Sequence, residues 1–329
     1  MATGSTDPLD RLRTLLELQD AAPPSRRMLV IVNPYATTVS DRLKNLVLYA
    51  LRGRYEVHAV DTERPNHATV LCREAAQEGY DVVVAFGGDG TVNEAANGLV
   101  GSDTPLCCLP GGRTNVYCRI LGMPVDVVDA TEHLLGLAHD FRPQRVDLGR
   151  VNDRHFLFSA GLGLDASVVQ RVDAHPRLKA RVGEYYYAWT AARTLTRNYL
   201  RRPPRLRVEL DGETVAGVTV IVQNAALYTY FGDRPVHLGE GASLTSGDLA
   251  GVILQRASPL DVPTITWRAL SRRARVAGHR RVHGFDGVRS MRVRSADERA
   301  LPLQVDGDHV GDVAEAEVAV VAGGLMVVA

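Results

Sequence analysis

The chain has 329 residues, 38 basic and 38 acidic side chains, and a formal net charge of zero, which argues against a generally cationic nucleic-acid-binding surface. An apolar share of 45% is enough for a sizeable core, and the length suits about two domains of ~150 residues each. Residues 1–27 show no secretory h-region, Val318 to Ala329 falls short of the ~20 residues needed to span a bilayer, and Cys72, Cys107, Cys108 and Cys118 lack metal-type spacing, so the reading is a soluble, cytoplasmic protein with free buried thiols.

Residues 7–20 predict a short amphipathic helix ended by Ala21-Ala-Pro-Pro24, and residues 1–25 are read as an accessory segment. From Met28 strand and helix signals alternate, with strands at 28–33, 55–61, 81–86 and 105–110 and helices near 39–52, 66–79, 91–99 and 114–122. This alternation implies a parallel sheet with right-handed crossovers, whose ligands bind beyond the carboxyl ends of the strands. Asn33, Asp61 and Thr62, Gly87 to Thr91, and Gly111 to Asn115 all fall at those ends. After Asp140 the pattern changes. Strands are predicted at 144–149 and 155–160, a Tyr-rich helix at 179–197, and a hairpin of 206–210 with 214–224 turning at Asp211-Gly212, with strand signals continuing to the end. The domains are therefore read as 26–142, α/β, and 143–329, mostly β, with the last strands a candidate for return to the first domain.

The most informative stretch is residues 81–94, Asp-Val-Val-Val-Ala-Phe-Gly-Gly-Asp-Gly-Thr-Val-Asn-Glu. Val82 to Phe86 is apolar on both faces, as a central parallel strand should be. Thr91 and Glu94 read as a capping box, so a helix should start at once. Gly87, Gly88 and Gly90 keep side chains off the backbone, and a helix N-terminus beside them attracts phosphate. Asp89 in their centre is placed to hold a Mg²⁺ shared with that phosphate. No P-loop occurs in the chain.

This string resembles the Gly-Gly-Asp-Gly-Thr signature of the diacylglycerol kinase catalytic family, which includes sphingosine and ceramide kinases and is distantly related to NAD kinases. Met28-Leu-Val-Ile-Val-Asn-Pro34 resembles the family's opening strand, and Leu109-Pro-Gly-Gly-Arg-Thr-Asn-Val-Tyr-Cys-Arg-Ile-Leu-Gly122 its Leu-Pro-x-Gly-Thr-x-Asn-Asp segment. Gln304-Val-Asp-Gly-Asp308 resembles its late Asp-Gly-Glu segment. The resemblance implies a Rossmann-like α/β domain followed by an antiparallel β-sandwich domain, with the active site in the cleft between them. It implies an ATP- and Mg²⁺-dependent kinase of diacylglycerol or a related lipid alcohol, met at a membrane surface. Asn33, Thr37, Thr62, Gly87, Gly88, Gly90, Thr91, Asn93, Glu94, Gly112 and Thr114 would line the ATP site, with Asp89 as organiser and Asp308 as general base.

Departures from the family pattern matter. Arg113 and Val116 stand where the family has Thr and Asp, Asp308 is one methylene shorter than the usual Glu, and Thr245 and Ser246 replace two aspartates of a secondary Mg²⁺ segment, leaving Ser243 and Asp248 as its remaining candidates. Asp308 also reads as part of a plain Asp-Gly hairpin, and Asp211-Gly212-Glu213 as an earlier decoy. Ser159 to Ala166 holds a Gly-x-Gly-x-x-Ala string, assigned to a strand-to-helix turn rather than a dinucleotide fingerprint. Two arginine clusters, Arg193, Arg197, Arg201, Arg202, Arg205, Arg207 and Arg268, Arg272, Arg273, Arg275, Arg280, Arg281, read either as contacts to an anionic bilayer or as solvated faces. Kinases of soluble alcohols such as NAD, and a nucleotide- or lipid-binding regulator without catalysis, stay open as alternatives, as does a homodimer.

Overall fold

The computed structural model describes residues 26–36, 39–173, 205–232, 234–271, 273–297 and 299–329. The predicted helix at 7–20, Thr37, the Tyr-rich helix and Arg193 to Arg202 lie outside them. The chain divides into two compact units, one of residues up to Val146 with Gly324–Ala329, the other Asp147–Gly323.

In the first unit, β1 (Arg27–Val32), α1 (Asp41–Arg52), β2 (Glu56–Asp61), α2 (His67–Gln77), β3 (Val82–Gly87), α3 (Asp89–Leu99) and β4 (Leu106–Pro110) follow the alternation that the sequence predicts. The strands are parallel in the order β2-β1-β3-β4. Val82 to Phe86 are all fully buried because both faces of the sheet are covered, which is why this strand carries no polar residue. Next come a one-turn helix, α4 (Val116–Ile120), and an unpredicted helix, α5 (Val127–Leu137). Asp126 starts α5 by accepting from the Val128 and Asp129 N–H groups, a cap that was legible in the sequence. Gly98 lets α2 and α3 cross closely, since a Cβ there would sit 2.4 Å from the Thr69 carbonyl oxygen. All four cysteines are buried and free, with Cys107 and Cys108 on β4.

The second unit contains β5 (Gln144–Val151, entering from the first unit), β6 (Arg154–Phe156), β7 (Ser159–Gly163), α6 (Leu164–Asp173), β8 (Leu206–Leu210), β9 (Glu213–Gly217), β10 (Thr219–Gln223), the short pair β11 (Thr229–Phe231) and β12 (Arg234–Val236), and β13 (Leu249–Leu254). It continues through α7 (Val262–Leu270), β14 (Val282–Val288), β15 (Ser290–Ser295), β16 (Leu301–Val305), β17 (Asp308–Val313) and most of β18 (Glu315–Val327). One antiparallel sheet runs β14-β13-β10-β7-β16-β17, and the strands of a second, β18-β15-β8-β9, share a core with it. That is a sandwich. The expected single strand at 214–224 is two. β9 pairs with β8, and after Gly217 the chain changes sheet so that β10 lies between β13 and β7. A Cβ at Gly217 would lie 2.6 Å from an Ile253 methyl, so the crossing needs glycine. The α7 helix was read as continuing strand; Pro263 in its first turn marks a helix start instead. Val318 to Ala329, read as one or two closing strands, belongs to the single strand β18 up to Val327, and its end pairs in parallel with β4 at Val327 and Leu106.

Candidate active site

In the first unit the loops leaving β1, β2, β3 and β4 are stitched to their neighbours. The Thr62 N–H donates to the Val32 carbonyl (2.8 Å), that of Asn33 to Phe86 (3.0 Å) and that of Gly111 to Gly87 (2.8 Å). The chain runs from β1 outward to β2 and returns past β1 to β3, so the crevice between the β1 and β3 loops is a topological switch point. Asn33 bridges it, its side-chain amide donating to the Thr91 hydroxyl at 3.1 Å.

The glycines bring two loops together. A Cβ on Gly111 would lie 2.9 Å from the Gly87 Cα, and one on Gly112 would lie 2.8 Å from the Gly88 Cα. Glycine at 111 and 112 lets the backbones meet, while a Cβ on Gly87 would strike the Thr91 side chain at 2.6 Å. Asn115 fixes the second loop. In a left-handed conformation (φ 48°), its side chain accepts from the Gly112 N–H at 2.9 Å and donates to the Gly112 carbonyl at 2.8 Å. The Thr114 carbonyl accepts from Arg119, and Arg113 is exposed on the turn.

α3 starts at Asp89, with Gly88 as its extended cap and no side chain closing its N-terminus, so the predicted capping box does not form. Thr91 lies inside the first turn, packed against Gly87 and holding Asn33. Glu94 instead caps the neighbouring helix, accepting from the Asn66 N–H (2.8 Å) and the Ala68 N–H (3.3 Å) at the start of α2, where Asn66 supplies no side-chain cap of its own. The spacing Thr-x-x-Glu was real but its partner was another helix. Asn93 is buried, its carbonyl accepting from Asn97.

The Asp89 carboxylate accepts from the Val116 and Tyr117 N–H groups, both at 3.0 Å, and so tethers α4 to the glycine loop. Loss of solvent around this carboxylate raises its pKa, against the lowering effect of the two N–H bonds and of Arg119. The residue as a whole keeps partial exposure, and each oxygen has a second lone pair. A single carboxylate of this kind, joined by phosphate and water oxygens, suits Mg²⁺, and the crossing of bare glycines suits a phosphate.

In the second unit Asp306 and Gly307 form a two-residue turn between β16 and β17, both with positive φ (48° and 86°). Asp306, singled out by nothing in the sequence beyond its place in the Gln-Val-Asp-Gly-Asp segment, is buried and accepts from the N–H groups of Leu157, Phe158 and Ser159 at 2.7–3.0 Å. The Asp211-Gly212 turn has the same backbone, but Asp211 is exposed. Burial separates the two look-alikes. Asp308 follows as the half-buried first residue of β17. Gln304 accepts from the Gly307 N–H at 2.9 Å and donates to Asp165 at 2.9 Å, and Asp165 takes the Tyr228 hydroxyl at 2.5 Å on its other oxygen. Desolvation raises the Asp165 pKa, opposed by its bonds from Tyr228 and Gln304. Asp165 sits in the Gly-x-Gly-x-x-Ala string, and β7 there is antiparallel to both neighbours, so that string opens no parallel βαβ unit.

The 242–249 segment is closed on itself. The Ser246 hydroxyl donates to the Ser243 carbonyl (3.1 Å), and Asp147 holds the loop by accepting from the Gly247 N–H (2.7 Å). Among the described residues no group of three or more His, Cys, Asp or Glu side chains converges as a metal-binding set.

Residues 27–151 match the family model described as the diacylglycerol kinase catalytic domain. The chain is 27% identical to a diacylglycerol kinase of Staphylococcus haemolyticus over 82% of this chain and 77% of the relative, and 27% identical to one of Staphylococcus aureus over 87% of each. A solved structure of a putative diacylglycerol kinase from Bacillus anthracis superposes with a TM-score of 0.70 at 23% identity, covering 93% of this chain and 98% of that one. A second from the same organism gives 0.66 at 20% identity.

Proposed function

We propose that this chain, whose residues 27–151 constitute a diacylglycerol kinase catalytic domain, transfers the γ-phosphate of ATP to the hydroxyl of diacylglycerol or a closely related lipid alcohol. The observation that carries the proposal is the backbone crossing of Gly87–Gly88 with Gly111–Gly112 beside the open N-terminus of α3. Amide groups in that crossing hold phosphate oxygens without a side chain intervening, and the helix end adds a favourable dipole. Asn33, Thr62, Thr91 and Thr114 border the same loops. Asp89 would hold Mg²⁺, which when bound neutralises triphosphate charge.

Phosphoryl transfer asks the protein for position and charge stabilisation more than for covalent chemistry. The lipid hydroxyl oxygen bonds to the γ-phosphorus as the bond to the β–γ bridging oxygen breaks, and Asp308 takes the hydroxyl proton. A positioned carboxylate contributes roughly 10²–10⁴-fold in such a step. Gln304 and Asp165 hold the turn that carries it. The experiment is ATP-dependent phosphorylation of a lipid panel by the wild type, Asp89→Ala and Asp308→Asn, with soluble alcohols including NAD as controls. Full activity in either variant removes that residue from its role. Nucleotide binding without turnover on any acceptor would replace the kinase by a binding protein.

A further inference from the structure

Between Gln255 and Gly284 the sequence holds seven arginines and one acid, in a chain of zero net charge. The acid, Asp261, is buried at the start of α7 and engaged by Arg280 (3.2 Å) and Arg281 (2.7 Å). Burial alone would raise its pKa, and the two guanidiniums outweigh that and hold it below the ordinary carboxylate range. Asp261 thus pins the 280–281 arginines beside the head of the helix.

The helix turns Ala269 and Ile265 toward the apolar cluster of the second unit. Leu260, Pro263 and Trp267, spaced at three to four residues, share the other side. Leu260 is 86% exposed and Trp267 62%, with Val262 at 41%. Arg256, Arg273 and Arg280 of the same segment are exposed, while Arg275 pairs with Glu240 at 2.7 Å.

We propose that Leu260 in the turn before α7, with Pro263 and Trp267 on the helix and the exposed arginines of the same segment, docks the chain on an anionic lipid bilayer. The inference deepens the lipid-kinase reading and rests on it for its purpose, because a lipid alcohol is met in a membrane. Charge selects the occupant. A second copy would bring one arginine-rich face against another, whereas an anionic headgroup layer complements it. Nucleic acid would answer the arginines but leave Leu260 and Trp267 in water, while the bilayer interface accepts an indole and an aliphatic side chain.

The full chain carrying Trp189→Phe leaves Trp267 as its sole indole. Mixed phosphatidylglycerol–phosphatidylcholine vesicles should shift its fluorescence to the blue, and phosphatidylcholine vesicles much less. Arg256→Glu with Arg273→Glu should weaken partitioning at least tenfold, at about fivefold per basic residue near the surface. Leu260→Ser with Trp267→Ser should weaken sedimentation with the vesicles by a similar factor, and all four sites are exposed enough that folding should survive. Absence of the blue shift, unchanged partitioning in both double variants, or an equal shift on duplex DNA overturns the proposal. Turnover on detergent-dispersed diacylglycerol reads the kinase assignment separately. Both double variants should keep it at the wild-type level, and a fall there matching the loss of vesicle binding also overturns the docking role.

Discussion

Two Asp-Gly pairs, one opening a helix in the first unit and one turning a hairpin in the second, use the same residue types to different ends. At β3–α3, Asp89 gives one oxygen to each of two amides at the start of α4 and remains partly exposed. At β16–β17, Asp306 accepts three amides from residues 157–159 and is buried. In both, an acid that reads as chemistry is also a clamp on a distant piece of chain. The difference is what each leaves over. Asp89 keeps partial exposure, whereas Asp306 is buried and the half-buried acid is Asp308 two residues later.

The largest expected effect breaks the second clamp. Asp306→Ala would leave three buried N–H groups without partners, at ~1–3 kcal/mol each, so a loss of at least ~3 kcal/mol is expected in urea unfolding. Asp306→Asn keeps one acceptor and a side chain that tolerates the left-handed backbone, and should lose less. A loss below ~1 kcal/mol for the alanine variant would show that Asp306 is no clamp.

The first site is tested next through its glycines. Gly112→Ala places a methyl 2.8 Å from the Gly88 Cα, a backbone atom with nowhere to go. Overpacking of this kind costs about 2 kcal/mol, and pushing the loops apart should weaken ATP binding more than tenfold by calorimetry. Gly136→Ala is the control. A Cβ there meets nothing within 4 Å, on an exposed position of α5, so it should gain ~0.5–1 kcal/mol.

These contrasts show which parts were legible. The parallel strands and their loops could be read to within a residue or two, because fully apolar runs such as Val82 to Phe86 exist only where both sheet faces are covered. The glycine loop was legible for the same local reason. What could not be read was partnership across the chain. Nothing in a sequence says that Glu94 serves the helix before its own, that Asp306 reaches back to Leu157, or that Asp165, Tyr228 and Gln304 are neighbours. The sheet change after Gly217 was hidden because Val218 alone separates β9 from β10, with no turn sequence to mark the boundary.

Asp165 sharpens the comparison through pH. Its pKa is raised in the folded state, so its contribution to stability is complete below the unfolded carboxylate range near ~4 and is lost as pH rises through the higher folded value. Asp165→Asn can still accept from Gln304 and donate to Tyr228, and does not titrate. The wild type should therefore lose stability relative to the variant as pH rises above ~4, seen as diverging urea midpoints. Parallel midpoints across that window would mean that burial does not govern this acid.

The smallest effect decides a residue of the first unit. Glu94 was expected among the ATP-lining residues, yet its carboxylate is occupied at the start of α2. A cap with negative charge at a helix N-terminus is worth about 1 kcal/mol. Glu94→Gln keeps one accepting oxygen and loses the charge, so unfolding should register a few tenths to ~1 kcal/mol while KM for ATP stays within twofold. If KM rose severalfold with stability unchanged, the carboxylate would be meeting nucleotide and the cap would be incidental. Because the two roles move different observables, one substitution separates them, and the same pair of measurements on Asp89→Asn would show how far a clamp and a ligand site coincide in one side chain.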